Sequence, residues 1–227
     1  MRKRTAALIP SFNEARYIGA IVEQLKHEVP AVYVVDDGSE DDTAAIARAR
    51  GAIVISNPVN RGKGASLREG FSRILKDGFD YVLILDGDGQ HQAEDIDRFF
   101  GKMEESGAGI VIGNRMRDKK AMPFIRVAVN TFMSFVISRI AGQDIPDTQC
   151  GFRLIKRQVL ENLRLESANY EMESELLIKA SARGWKIAST PILTVYDGEK
   201  SRIDPVKDTV RFLRLILRLR FKEEGPR

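Results

Sequence analysis

Asp86 and Asp88 stand two residues apart in Asp86-Gly87-Asp88-Gly89-Gln90, directly after the apolar run Tyr81 to Leu85. Carboxylates at i and i+2 on a turn leaving a buried strand can converge on a hard cation such as Mg²⁺ or Mn²⁺. Gln90 would supply a further oxygen, and the glycines let a phosphate approach the backbone. A tight Asp-Gly turn without any ligand has the same sequence, so the pair alone leaves both readings open. An EF-hand loop begins similarly but requires Gly where His91 stands and Glu where Asp97 stands. Two histidines and one cysteine make a zinc cage implausible, so any metal must be held mainly by oxygen.

Two more polar clusters, Ser11 to Glu14 and Asp36 to Asp42, have to be positioned with this one. Ala6 to Pro10 and Val32 to Val35 read as short buried strands, each followed by a turn and a helix. Ser39 followed by Asp42 resembles an N-cap with an acidic N3 partner, opening a helix to about Arg50. Strands at Ala52 to Ser56, Tyr81 to Leu85 and Gly109 to Gly113 continue the series, with helices over about Ala65 to Lys76 and Ala93 to Glu105. Continuous apolar strands alternating with helices predict an α/β fold with a mostly parallel sheet covered on both faces. All three clusters follow strand C-terminal ends, where open α/β sheets collect ligands, so one shared site is expected. Helices at about Pro123 to Ala141 and Glu171 to Arg183, then a strand near Ile187 to Val195, complete one domain ending near residue 204.

Composition narrows the function classes. The 227 residues are 43% hydrophobic and 30% charged, which suits a folded chain with a substantial core. Net charge is +4, but residues 200–227 carry nine Lys/Arg against four Asp/Glu, leaving residues 1–199 one charge negative. That argues against nucleic acid and for a local contact with an anionic surface. No window reaches the roughly 18 to 20 uncharged apolar residues of a membrane span; Val127 to Ser138 stops at Arg139. The basic start Met1-Arg2-Lys3-Arg4 is followed by Pro10, Asn13 and Glu14, so export is not expected, and one cysteine fits a reducing compartment. P-loop, GxGxxG and GxSxG patterns are all missing, which removes support for P-loop, Rossmann dinucleotide and serine-hydrolase chemistry.

Five ordered motifs, Pro10-Ser11-Phe12-Asn13-Glu14, Val34 to Ser39, Asn60-Arg61-Gly62-Lys63-Gly64, Leu85 to His91 and Gly113-Asn114-Arg115, resemble family 2 glycosyltransferases of the GT-A fold over about residues 5 to 204. Asp147-Thr148-Gln149-Cys150-Gly151-Phe152-Arg153-Leu154 and Gly198 to Arg202 resemble the polyprenyl-phosphate branch, which includes dolichyl-phosphate glucosyl- and mannosyltransferases. The resemblance implies an inverting transferase that uses Mg²⁺ or Mn²⁺ and moves a hexose from a nucleotide-sugar, UDP-glucose before GDP-mannose, to a polyprenyl or dolichyl phosphate. Pro10, Phe12, Glu14, Val35, Asp37 and Gly87 match nucleotide-sugar positions. Asp86 and Asp88 match the metal-binding pair, with Gln90 auxiliary and Asp88 the more direct ligand. Lys63 stands either at the diphosphate or on a solvated loop. Arg115 and Arg126 match acceptor-phosphate positions, joined by Ser201 and Arg202, where Arg202 departs from a usual Lys.

A lipid phosphate is already largely ionised at neutral pH and needs no strong base. A sugar-hydroxyl acceptor would need one, and Asp147, Glu171, Glu173 and Glu175 are the open choices. A non-catalytic nucleotide-sugar binder is the alternative of another class. Cys150 reads as a buried small hydrophobe, and His27 and His91 as surface or turn residues. In the helix Phe124 to Ile140, Ile125, Val129, Phe132, Met133, Val136 and Ile140 form a broad apolar face that packs either on the core or partly on lipid. Residues 205–227 form a separate basic amphipathic helix and tail. Lys207, Arg211, Arg214, Arg218 and Lys222 share one stripe of it. Its apolar remainder suits either a homodimer partner or, over 205–222, the cytoplasmic membrane face, where the enzyme would be peripherally bound.

Overall fold

The computed structural model describes residues 1–117, 122, 124–193 and 210–218. Among the described residues seven strands, β1 (Thr5–Ser11), β2 (Ala31–Asp36), β3 (Ile53–Ser56), β4 (Tyr81–Ile84), β5 (Ile110–Asn114), β6 (Arg153–Lys156) and β7 (Ile187–Pro191), form one sheet. Its order is β3-β2-β1-β4-β6-β5-β7, and every neighbouring pair is parallel except the two made by β6. All seven residues of β1 are buried, as a strand covered on both faces requires. Sequence periodicity misses β6, because four residues with charged ends carry no strand pattern of their own.

The helices are α1 (Ile18–Glu28), α2 (Thr43–Ala49), α3 (Lys63–Lys76), α4 (Ile96–Ser106), α5 (Phe124–Ala141), α6 (Arg157–Glu161) and α7 (Glu171–Ala182). In α1 the spacing of Ile18, Ile21, Val22 and Leu25 sets the buried face. The expected cap at Ser39 is corrected. α2 begins at Thr43, and the Ser39 hydroxyl instead accepts the Asn13 N–H at 2.8 Å, joining the loops after β1 and β2.

α5 inverts the usual arrangement. Its buried positions are Asn130, Ser134 and Ile137, while Phe124, Ile125, Phe132, Phe135 and Ile140 are exposed. Packing of the apolar face on the core is therefore corrected to a partial contact through Met133 and Val136. The inward polar groups are used: the Ser134 hydroxyl accepts the Thr148 N–H at 3.0 Å. By length and composition alone α5 is apolar enough to cross a membrane, unlike the sequence expectation, although it carries Arg126 and Arg139 and packs against α7.

Residues 210–218 are helical, and there Phe212 and Leu215 are buried while Val210, Leu213 and Leu217 are exposed. Arg218 reaches back to the Ser167 hydroxyl at 2.9 Å. Lys207 and Lys222, the strand end at Val195 and the boundary near residue 204 lie outside the described residues.

Candidate functional site

Parallel pairing of β1 with β2 sets Pro10 beside Val35 and Ser11 beside Asp36, so both polar clusters leave the sheet together. Val35 is fully buried, so its side chain belongs to the core beneath the site. The Asp37 N–H donates to the Ser11 carbonyl at 2.8 Å. Its carboxylate accepts from Asn57 Nδ2 (3.0 Å) and from the N–H groups of Arg61 (3.0 Å) and Gly62 (2.7 Å). Asp37 is thus the organiser of the 57–62 loop. Gly62 has φ +94°, and a Cβ there would lie 2.6 Å from the Ala168 carbonyl oxygen, so this turn needs glycine.

β4 delivers the second half of the site. Asp86 follows it after Leu85 and is held from two sides, by Lys63 Nζ at 2.6 Å from Oδ1 and by His91 Nε2 at 3.6 Å from Oδ2. Burial disfavours its charge, but Lys63 and His91 outweigh that and hold the carboxyl well below its usual range. Asp88 moves the other way: burial, then repulsion from Asp86, raises its pKa, even though it accepts the Gln90 N–H at 3.0 Å. Ser11 and Glu14 lie against the same turn, since a Cβ on Gly87 would be 3.0 Å from Ser11 Oγ and 3.2 Å from Glu14 Cγ. The chain around Gly151 closes it, because a Cβ there would fall 2.3 Å from Asp86 Oδ2.

Lys63 is not a solvated loop lysine. It opens α3, is 15% exposed, and bridges Asp86 to Glu173 Oε1 at 3.2 Å. Burial would lower its pKa, but Asp86 and Glu173 together raise it.

β5 ends beside a third group. Arg115 donates through Nε (2.8 Å), Nη2 (2.9 Å) and its backbone N–H (3.0 Å) to Asp147, whose side chain is fully buried. This fork joins the end of β5 to the 147–151 segment and commits both Asp147 oxygens. Arg153, also fully buried, donates to the carbonyls of Cys150 (2.8 Å), Thr148 (2.9 Å) and Glu173 (2.9 Å). Cys150 is buried as expected, with its thiol pushed up to about 12. Arg126 is half-buried on the first turns of α5. Ser201 and Arg202 lie outside the described residues.

The sequence profile of glycosyl transferase family 2 matches residues 6–164. The chain belongs to that family. Glycosyltransferase AglJ of Haloferax volcanii is 32% identical over 208 residues, covering 88% of this chain and 67% of that one. Polyprenol monophosphomannose synthase of Mycolicibacterium smegmatis is 30% identical, covering 84% and 77%. Among solved structures, glucosyl-3-phosphoglycerate synthase from Mycobacterium tuberculosis, in complex with Mn²⁺, UDP and glucosyl-3-phosphoglycerate, superposes with a TM-score of 0.75 at 21% identity, covering 95% of this chain and 79% of that one. The fold of this family 2 glycosyltransferase is accordingly GT-A-like, as the sequence resemblance implies.

The donor set of this glycosyltransferase suits a divalent cation. Asp86 and Asp88 crowd two carboxylates whose repulsion a cation would relieve, and Ser11 Oγ beside them is buried without a partner among the described residues. No group of three or more His, Cys, Asp and Glu is arranged for a metal among the described residues. Further ligands would therefore come from Gln90, a diphosphate and water, as suits Mg²⁺ or Mn²⁺. The reading of His91 as a surface or turn residue is corrected as to the surface: its side chain is buried against Asp86 and the Phe152 ring, 5.2 Å between centroids. Its place directly after Gln90 was the available signal. Glu173, an open choice for a base, and Arg153, within the Asp147 to Leu154 motif, carry no signal of their pairings with Lys63 and with each other, because these join distant segments.

Proposed function

We propose that this glycosyltransferase moves a hexose from a nucleotide-sugar to a polyprenyl or dolichyl phosphate at a membrane surface, with inversion at the anomeric carbon. The observation that carries this is α5: it begins shortly after the Arg115 fork and turns Phe124, Ile125, Phe132, Phe135 and Ile140 outward. An outward apolar surface on the helix that also carries the half-buried Arg126 suits an acceptor that is a phosphate on a long hydrocarbon. Val210, Leu213 and Leu217 offer a second exposed apolar row with Arg214 between them. Similarity to the mycobacterial polyprenol monophosphomannose synthase points to the same acceptor class.

In the reaction an acceptor phosphate oxygen attacks the anomeric carbon as the bond to the nucleoside diphosphate breaks. That acceptor needs no strong base. The carboxylates agree: Asp147 is committed to Arg115, Glu173 to Lys63, and Glu175 to the N–H groups of Glu166 and Ser167 and to Lys179. A divalent cation at Asp86 and Asp88, when bound, would stabilise charge on the departing diphosphate. The loop that Asp37 holds would receive the nucleoside, and Arg126 would offset repulsion between two anionic substrates, the charge of Arg115 being already matched by Asp147. The fully buried Glu171 Oε2, without a partner among the described residues, favours a second reading in which a sugar hydroxyl is the acceptor and Glu171 its base.

The donor is assigned as a UDP-hexose, UDP-glucose first and GDP-mannose second. The test is a panel of UDP- and GDP-sugars with polyprenyl phosphate or a glycan acceptor, in Mg²⁺ or Mn²⁺, read as lipid-linked product. Transfer to the lipid phosphate that survives Glu171→Gln supports the proposal. Transfer to a hydroxyl that Glu171→Gln abolishes replaces it with the second reading.

A further inference from the structure

We propose that Lys63 is an exchangeable counter-ion of the cation site: it covers Asp86 when no divalent cation is bound and shifts onto Glu173 when one is. The inference rests on the reading of Asp86 and Asp88 as cation ligands.

Three features of the geometry support it. The ammonium already lies between two acceptors, 2.6 Å from Asp86 Oδ1 and 3.2 Å from Glu173 Oε1, with the Tyr170 ring centroid 5.7 Å away. A divalent cation on Asp86 would repel a neighbouring ammonium, so the two compete for one carboxylate. Neither acceptor is placed to follow the lysine. Asp86 is hemmed in by the backbone at Gly151 and by His91, and Glu173 stands on α7 with Oε1 3.9 Å from Arg153 Nη2. Arg153 is itself fixed by three carbonyls, one of them Glu173's own. The mobile part is the four-carbon stem of Lys63, whose compact head can turn from one oxygen to the other. Glu173 is thus a positioning residue. It acts through Lys63 by offering the ammonium a second partner, so that exchange at Asp86 does not leave a buried charge unpaired.

A simple charge effect would also make Lys63 weaken and Glu173 strengthen cation binding, so the discriminating quantity is their coupling. Mn²⁺ affinity, measured from the electron paramagnetic resonance of unbound Mn²⁺ without nucleotide, is compared in the wild type, Lys63→Gln, Glu173→Gln and the double variant. Lys63→Gln is expected to bind Mn²⁺ about tenfold more tightly and Glu173→Gln several-fold more weakly. In the Lys63→Gln background the second substitution should change affinity by less than about twofold, because its route is gone. Equal effects of Glu173→Gln in both backgrounds would overturn the exchange while leaving the cation site standing. No Mn²⁺ binding by any of the four would overturn both. Thermal unfolding checks that each variant is folded, and Lys63→Met replaces Lys63→Gln if the amide lowers the melting temperature.

Discussion

Asp88 and Glu175 show how alike two acidic residues look in sequence and how differently the fold uses them. Asp88 sits on the turn after β4 with its pKa raised by burial and by Asp86, a carboxylate whose charge is tolerated only with help. Asp88→Asn is expected to leave the thermal transition in place and reduce sugar transfer by a factor on the order of 10³; a turnover assay beside a melting curve checks both. Glu175 is fully buried on α7, accepting the Ser167 N–H at 2.8 Å and pairing with Lys179 Nζ at 2.5 Å. Burial opposes its charge, but Lys179 and the Ser167 and Glu166 N–H groups prevail, so its folded pKa lies below the unfolded value near ~4.3. A carboxyl depressed in this way stabilises the fold above the unfolded pKa and loses that contribution as pH falls toward the folded one. Glu175→Gln should therefore cost about 3 kcal/mol at neutral pH, with the difference from wild type narrowing below pH ~4, as urea titrations at several pH values would show. Asp86 and Asp88 are legible in sequence because their chemistry is contiguous. His91 is partly so, since its partner Asp86 lies in the same loop, whereas Glu173 and Arg153 acquire their roles from segments brought in by the sheet order.

At the scale of elements, the same contrast separates α1 from α5. The apolar spacing of α1 states its buried face, and the structure agrees. In α5 apolar residues occur on nearly every side, so periodicity does not say which side faces the domain. The choice falls to Asn130 and Ser134, whose polar groups find partners inward, the Ser134 hydroxyl on Thr148. β6 and the short α6 that follows it are elements that periodicity misses, and for β6 its buried Arg153 explains why: a strand whose first residue is a charge reads as a loop until three carbonyls are placed around the guanidinium. The outward face of α5 yields a direct expectation. Phe132 and Phe135 are 56% and 60% exposed, so Phe132→Ser with Phe135→Ser should change stability by less than about 1 kcal/mol. The same pair should lower sedimentation with anionic liposomes and raise the apparent KM for a long-chain lipid phosphate while sparing the donor KM. Equal changes in both KM values would place the face in general folding instead.

For the whole molecule the question is how a domain built around a sheet would present its site to the proposed lipid acceptor. α7 is buried along most of its length, with α5 packed against it and Arg218 of the C-terminal helical residues reaching its Glu175 at 3.8 Å. Two segments with exposed apolar rows thus share one buried helix as their support, and α7 also carries the Glu173 that pairs with Lys63. The basic stripe predicted for residues 205–222 is partly reassigned by this packing, since Arg218 turns toward Ser167. It also means that deleting the C-terminal residues would unpack the domain, because Phe212 and Leu215 are 1% and 2% exposed. Point substitutions separate the two roles. Phe212→Ala should destabilise the protein by about 3 to 5 kcal/mol, as the loss of a fully buried aromatic does. Leu213→Ser with Leu217→Ser, at positions 51% and 55% exposed, should leave the denaturation midpoint nearly unchanged but weaken liposome sedimentation. If the Leu213 and Leu217 substitutions instead convert a dimer to a monomer without altering liposome binding, that row is a subunit contact, and the proposed membrane contact falls to α5 alone.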